Sequence, residues 1–289
     1  MSSLKEIKSR INSVKSTQKI TSAMKMVSSA KLRKAQSNME RFIPYKQRLE
    51  GILNRFAESC LEGLNSPLME RRRHCRVAIV AISSNSSLCG VFNSNTIKSM
   101  LETIRRYQDA GCEIDVYPVG KKVEDAVRKL DVNLNVAGSF VSLIDKPNYT
   151  DAKTFADNII NEFNEHRIDH VEIIYNHFKN AAVQIPVKED FLPFTIQKHE
   201  KTTTTDYLIE PDKYAVLNEL LPKLLRMKIY AALLDSATAE QAARMMAMQI
   251  ATDNAEDILT DLNVQFNKQR QQSITSELLD IVGGSEALK

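Results

Sequence analysis

The sequence from Lys223 to Val282, KLLRMKIYAALLDSATAEQAARMMAMQIATDNAEDILTDLNVQFNKQRQQSITSELLDIV, runs for sixty residues without a Gly or a Pro. A helix of that length would extend about 90 Å, far longer than a compact domain needs. Apolar and small residues recur in alternating steps of four and three, which predicts one helix of a coiled coil. The expected buried positions are Leu225, Ile229, Ala232, Ser236, Ala239, Ala243, Met246 and Ile250, then, after a one-residue slip, Ala251, Ala255, Ile258 and Leu262. Beyond them the seam turns polar, at Gln265, Gln269 and Gln272.

The amino-terminal segment supplies the partner helix. Its first turns repeat the same spacing at Leu4, Ile7, Ile11 and Val14, and neither Gly nor Pro occurs before Pro44. After Gln18 and Thr21, we expect the stripe to shift to Ile20, Met24 and Val27, together with the small residues Ala23, Ser28, Ser29 and Ala30. Pro44 removes a helical hydrogen bond, so a bend is expected there before the helix resumes and ends near residues 60–63. The two segments together predict a long antiparallel coiled coil of N- and C-terminal helices.

Between the two long helices the period changes to alternating strands and helices. Strands are expected at 77–82, 113–119, 132–141 and 170–177, and helices at 93–109, 121–130 and 150–166. This alternation predicts a Rossmann-like α/β domain with a mainly parallel sheet. Residues 181–196 contain Pro186 and Pro193, which favours an edge strand. The expected domains are a coiled-coil helix at 1–62, an α/β domain at 74–205, and a foot segment with the second coiled-coil helix at 206–289.

Charge and cysteine content narrow the class of protein. The chain has 289 residues and a net charge of +3, yet residues 1–50 carry twelve Lys or Arg against three Glu, a net of +9. The four cysteines show no metal-ligand spacing and suggest free thiols in a reducing compartment. No apolar run reaches the eighteen or so residues that a membrane span needs.

Nothing in the sequence indicates a catalytic, cofactor or metal site. Neither GxGxxG nor GxxxxGK[ST] occurs, so the backbone cradle for a pyrophosphate is missing. The loop at 83–90 is interpreted as a strand-to-helix turn rich in capping residues, with a small-molecule site as the alternative, and no base is evident for Cys89. His166 and His170 have the spacing of two metal ligands on one helix face, but they fall at a predicted helix-to-strand junction, which favours surface histidines.

The basic first helix is open to three interpretations. An acidic protein partner is favoured, because nine net positive charges exceed what solubility requires. A nucleic-acid partner is the second, although the helix has few aromatic residues and no base-reading module. The third is a solvated helix surface. For the whole chain, two alternatives remain open: an α/β enzyme or ligand-binding protein with helical appendages, and a coiled-coil nucleic-acid binder.

Three segments resemble the signatures of a known family. Residues 20–34 (ITSAMKMVSSAKLRK), 242–255 (AARMMAMQIATDNA) and 267–282 (NKQRQQSITSELLDIV) are similar to the terminal helices of the gamma subunit of F-type ATP synthases. Two departures occur. Asn85, Ser86 and Ser87 stand where the family often has Asp-Arg-Gly, and Ser285 follows Gly284 where Ala is usual.

The resemblance implies a central-stalk rotor with no active site and no cofactor of its own. Its implied partners are the alpha and beta subunits of a catalytic hexamer, an epsilon-type subunit and the membrane c-subunit ring, with no nucleic acid. The implied contacts to alpha and beta subunits are Met24, Lys25, Arg244, Arg270, Gln271 and Thr275. Tyr207 and Glu210 match the foot segment that meets the membrane ring and the epsilon subunit. The implied location is peripheral, on the cytoplasmic face of a bacterial plasma membrane.

Overall fold

The computed structural model describes residues 4–59, 66–72, 76–130, 135–195, 210 and 212–286. The chain divides into two compact units, one formed by Met1–Ser28 with Met245–Lys289 and the other by Ser29–Arg244. Two long helices, α1 (Leu4–Ser59) and α6 (Lys213–Glu286), contribute residues to both units. The two long terminal helices that the sequence predicted are therefore confirmed.

Both long helices continue through prolines. Helix α1 is unbroken at Pro44, while the degree of bending there stays a prediction. Its expected end at 60–63 lies outside the described residues. Helix α6 begins ten residues before Lys223 and includes Pro222. A helical proline costs about 3 kcal/mol, but Leu217, Leu221 and Leu225 are fully buried around it. Each buried leucine contributes about 1.5–3 kcal/mol, so burial outweighs the proline.

The first unit is an antiparallel pair of helices. Thr252 Oγ1 donates a 2.8 Å hydrogen bond to Thr21 Oγ1. Ile7 is buried toward the start of α1 and Leu262 toward the end of α6. In a parallel pair, Ile7 would instead lie opposite residue 238, which belongs to the other unit. Beyond residue 262, α6 is mostly exposed.

The seam of this pair differs from the expected one in two places. On α1 it stays in heptad register through Gln18, Thr21 and Ser28, whereas Ile20 and Val27 are 60% and 56% exposed. The expected shift to Ile20 and Val27 is therefore wrong. Thr21 is tolerated in the seam because its hydroxyl also donates to the Gln18 carbonyl, at 3.0 Å. On α6 the seam passes through Met248, Thr252, Ala255, Leu259 and Leu262, and the expected seam residues Ile250 and Ile258 are exposed.

The second unit contains a five-stranded sheet with the strand order β3-β2-β1-β4-β5. The strands are β1 (Arg76–Ile82), β2 (Glu113–Val119), β3 (Asn135–Val136), β4 (His170–Phe178) and β5 (Gln184–Leu192). The first four are parallel, and β5 pairs with β4 in the antiparallel direction. The helices are α2 (Phe92–Asp109), α3 (Lys121–Val127), α4 (Ser142–Asp145) and α5 (Tyr149–Asn164). The mainly parallel sheet is thus confirmed, β3 is shorter than expected in its described part, and α4 was not anticipated.

Strand β1 lies at the centre and is buried on both faces, as its continuous apolar run predicted. Ala78, Val80 and Ile82 belong to a core that also includes residues of α5, α1 and the first turns of α6. Val77 and Ile79 face the opposite side, in a second core with α2 and α3. The start of α6 is therefore part of the core of the α/β domain, and not an appendage to it.

The cysteines depart from expectation. Cys89 is a buried free thiol. Cys112, at the start of β2, is disulfide-bonded, and its partner lies outside the described residues. The expectation of free thiols is therefore wrong for Cys112.

Candidate partner-binding surfaces

The loop after β1 uses its polar groups to cap the neighbouring helices. Ser83 Oγ accepts a hydrogen bond from the backbone N–H of Val123, at 3.0 Å. Asn85 Oδ1 accepts a hydrogen bond from the backbone N–H of Lys121, also at 3.0 Å. The two oxygens therefore bond to backbone N–H groups at the N-terminus of α3 that have no partner within the helix. The backbone N–H of Ser84 donates to Asn93 Oδ1 at the start of α2. These bonds support the turn interpretation, because the groups that a small-molecule site would need are already bonded to protein.

The same loop is bound to the long helix α6 through Arg244. Arg244 Nη1 donates to the Ser87 carbonyl at 2.7 Å, and Nη2 donates to Ser86 Oγ at 2.8 Å. Nη2 also bonds to Glu240 Oε1 at 2.5 Å, one helical turn away. Only 8% of Arg244 is exposed. The structure therefore places Arg244 inside the second unit, and its role as a contact to another subunit stays a prediction.

Burial dominates the electrostatics of this site. Desolvation raises the pKa of the Glu240 carboxyl above its usual value, and the Arg244 guanidinium partly opposes that shift. Asp145 adds to the increase, while Lys31 on α1 opposes it. The charges on α1 and α4 therefore act on the buried Glu240–Arg244 pair of α6.

The outer face of α1 carries apolar side chains among cations. Ile20 and Val27 are seven residues apart, hence on one side of the helix, and both are exposed. Met24, between them, and Lys25 are half-buried. We call Ile20, Met24 and Val27 the outer face of α1. Exposed apolar side chains on such a face are typical of a surface that another protein covers.

The two helices of the first unit carry opposite net charges. Residues 4–28 carry six Lys or Arg and one Glu, a net of +5, whereas 245–286 carry seven Asp or Glu and two Lys or Arg, a net of −5. Asp253, Glu256, Asp257 and Asp261 of α6 are all exposed within nine residues of one another. Sequence reasoning identified the basic helix but missed the acidic one, although the charge count alone contains that signal.

The end of α6 exposes both polar and apolar side chains. Arg270, Gln271 and Thr275 are exposed, and the Thr275 hydroxyl donates to the Gln271 carbonyl at 2.9 Å. Large apolar side chains are exposed beside them at Ile274, Leu278, Leu279, Ile281 and Val282. We call residues 264–282 the tip. Exposed apolar side chains in this number are typical of a surface that another protein covers, and a partner at the tip stays a prediction.

The remaining predicted positions are separated in the fold. Tyr207 lies outside the described residues, and Glu210 is exposed. His166 follows α5 in a left-handed backbone conformation with φ 57°, whereas His170 begins β4. The two histidines therefore do not share a helix face, which agrees with the expected helix-to-strand junction between them.

Across the described ranges, no helix is long and apolar enough to cross a membrane.

Comparison with known proteins identifies the family of the chain. A family model described as ATP synthase matches residues 3–288. A protein named ATP synthase gamma chain from Azobacteroides pseudotrichonymphae is 52% identical to the chain, with full coverage of both sequences. The chain belongs to the ATP synthase gamma-chain family. A second gamma chain, from Phocaeicola vulgatus, is 49% identical over 99% of this chain and 100% of its own length.

Solved structures support the same fold for this gamma-chain family member. A chain of the Euglena gracilis mitochondrial ATP synthase, solved with its OSCP, F1 and c-ring parts, matches 99% of this chain and 94% of its own, with a TM-score of 0.67 and 19% identity. A chain of the Tetrahymena thermophila central stalk and c-ring structure matches 80% of this chain and 99% of its own, with a TM-score of 0.58 and 24% identity. At these identities the likeness concerns the fold alone.

Proposed function

We propose that the chain is the rotating central-stalk subunit of an F-type ATP synthase and has no active site of its own. The observation that carries the proposal is its full-length identity of 52% to a bacterial gamma chain. The architecture suits the role, because a shaft that drives several catalytic subunits in turn must differ around its axis. A basic helix beside an acidic one supplies that asymmetry.

The tip and the outer face of α1 are the proposed contacts to alpha and beta subunits. Arg270, Gln271 and Thr275 offer polar groups next to exposed apolar side chains, the combination found at protein interfaces. Met24 and Lys25 lie on the basic helix, which suits acidic segments of a partner. Arg244 remains a candidate for the same contacts, although its guanidinium is bonded within the chain.

The foot segment, which begins at residue 206, is the proposed contact to the membrane ring and the epsilon-type subunit. Tyr207 and Glu210 are its candidate residues, by resemblance to the family's foot segment. The chain would then be peripheral to the plasma membrane, on its cytoplasmic face, and held there by the complex.

Arg244 gives the rotor a specific mechanical link. A rotor transmits torque only if its shaft stays fixed to the domain from which it extends. Two hydrogen bonds from the Arg244 guanidinium, to the Ser87 carbonyl and to Ser86 Oγ, fix α6 to the loop after β1, and a third, to Glu240, holds the guanidinium from within α6. We infer that this link resists twisting of α6 against the α/β domain.

The proposal is tested by assembly and by isolation. A tagged chain, purified gently from its own cells, is expected to copurify with alpha and beta subunits and with ATP hydrolysis activity. The isolated chain is expected to neither bind nor hydrolyse ATP, measured by titration calorimetry and phosphate release. Recovery of the chain without those subunits, or micromolar ATP affinity of the chain alone, would contradict the proposal.

A further inference from the structure

A group of three metal-ligand side chains lies where β4 meets β5. His170 and Glu172 are two residues apart on β4, hence on one face of the sheet, and Asp190 lies on β5. One ligand atom from each of the three lies within 4.8 Å of the other two. None of these residues belongs to the surfaces proposed above for partner subunits.

The distance between two of the ligand atoms fits a shared metal ion. His170 Nε2 lies 3.3 Å from Asp190 Oδ1. The nitrogen is buried, yet it has no hydrogen-bond partner, so the approach to the carboxylate lacks hydrogen-bond geometry. Two atoms that are each about 2.0–2.1 Å from a tetrahedral zinc ion lie roughly 3.3 Å apart. The pair is therefore spaced like two ligands of one ion.

A second observation, independent of that distance, also indicates a cation. Glu172 and Asp190 are direct cross-strand partners in the antiparallel ladder. Like charges directly opposite one another destabilise a sheet, and because the Arg106 guanidinium already offsets the charge of Glu172, the bound cation would offset that of Asp190. The ladder has an irregularity between Val171 and Glu172. Such bulges re-aim side chains and are common beside functional sites.

The surroundings hold one ligand in place and leave another able to adjust. Only 3% of the Glu172 side chain is exposed, and its Oε2 accepts hydrogen bonds from Arg106 Nη2 at 2.5 Å and Tyr107 Oη at 3.0 Å. Outer contacts of this kind orient a metal-ligating carboxylate, and they are compatible with Oε1 as the ligand. The Asp190 side chain is 74% exposed and can rotate to shorten its distance to the other two.

We propose that His170, Glu172 and Asp190 bind a divalent transition-metal ion, with Zn²⁺ as the best fit. One imidazole nitrogen and two carboxylate oxygens form a three-ligand set that zinc accepts, with the fourth position left to water. The ion would join the edge strand β5 to β4 at the point where the sheet changes from parallel to antiparallel pairing. Its role is structural.

The test measures binding of zinc sulfate to the full chain, with any purification tag removed. Calorimetry in metal-free buffer is expected to give one Zn²⁺ per chain with a micromolar or tighter dissociation constant. His170→Gln should abolish that binding, and Asp190→Asn should weaken it at least tenfold. His166→Asn is the matched control, because it removes an exposed histidine outside the cluster and keeps a residue type that tolerates positive φ.

Two further measurements distinguish loss of the metal site from loss of folding and identify the ligand atoms. Circular dichroism must show that each variant is folded, and zinc should raise the unfolding temperature of the wild type but not of folded His170→Gln. Cobalt substitution should give the visible absorption of a tetrahedral nitrogen and oxygen site. Absence of saturable binding, equal binding by all variants, or a cobalt–thiolate band would each overturn the proposal.

Discussion

Arg244 Nη1 donates a 2.7 Å hydrogen bond to the carbonyl oxygen of Ser87, which lies 157 residues earlier in the chain. The bond joins the long helix α6 to the loop that follows the central strand. The guanidinium also bonds to Ser86 Oγ and to the carboxylate of Glu240, one helical turn away on α6. Two chain segments that are remote in sequence are thus held together by one side chain.

Replacing Arg244 by Ala is expected to lower the free energy of unfolding by about 3–5 kcal/mol, the usual cost of leaving a buried charge without its partner. Urea denaturation of the isolated chain at neutral pH measures this change in the free energy of unfolding. Arg270→Ala is the matched control, because Arg270 is exposed and its loss should change stability by no more than about 0.5 kcal/mol. Equal effects of the two substitutions would refute the structural role of Arg244.

The cost of Arg244→Ala should also depend on pH. Burial raises the pKa of Glu240 in the folded protein, so this group favours folding when protonated and loses that contribution as pH rises through its folded pKa. Without Arg244, whose charge opposes the shift, the folded pKa should rise further. The stability gap between wild type and variant should therefore narrow as pH falls from neutral toward the ordinary pKa of Glu. A gap that widens on acidification would contradict the cause assigned here.

Gly120→Ala is expected to be severely destabilising. A Cβ at this position would lie 2.2 Å from the Ser83 carbonyl oxygen, and the residue has φ 101°, which side chains rarely adopt. The backbone strain alone costs about 1–3 kcal/mol, and the steric overlap adds to it. Gly51→Ala is the control, since nothing lies within 4 Å of its Cβ position and Ala favours the helix by about 0.5–1 kcal/mol. The unfolding temperature should fall for Gly120→Ala and rise for Gly51→Ala.

Charge reversal at Lys19, Lys25 and Lys34 should slow ATP hydrolysis in the assembled complex without preventing assembly. These cations lie on the basic helix, and Glu in their place would put like charges against acidic partner segments. Lys31 is left unchanged because its charge lowers the pKa of Glu240 within the chain. Turnover is measured at low and high salt, and the defect should shrink at high salt, where screening is stronger. Lys153→Glu, on the exposed side of α5, serves as control, and unchanged turnover at low salt would rule out the basic contact.

Truncation of the tip residues should separate chain stability from function. The triple variant Arg270→Ala, Gln271→Ala, Thr275→Ala is expected to leave the unfolding midpoint of the isolated chain nearly unchanged, because all three side chains are exposed. In the complex, each lost charge-assisted hydrogen bond would cost about 1.5–3 kcal/mol, so ATP turnover should change. Both quantities are measured on the same variant. A large loss of chain stability with normal turnover would show that the tip is structural instead.

Most of the fold was predictable because its signals are local. The continuous apolar run at β1 and the alternation of strands and helices depend on neighbouring residues, and the structure confirms both. The heptad spacing likewise predicted the two helices. It also predicted the covered side of α6 correctly at Leu225, Ala255 and Leu262, which are buried, but it failed at Ile20 and Ile258, which are exposed although both are strongly apolar. Burial there depends on the register of two segments more than two hundred residues apart, which no local pattern contains.

By itself, then, the sequence determined the long terminal helices, the mainly parallel sheet and the resemblance to gamma chains, since period, composition and motif are properties of the chain alone. Tertiary structure decided the rest. It placed Arg244 in a buried link to the loop after β1, a contact within the chain that no sequence pattern had indicated. It also assembled His170 and Glu172 with Asp190, eighteen residues beyond Glu172, through antiparallel strand pairing. Such contacts form only when packing brings distant backbone segments together, so sequence spacing carries no measure of them.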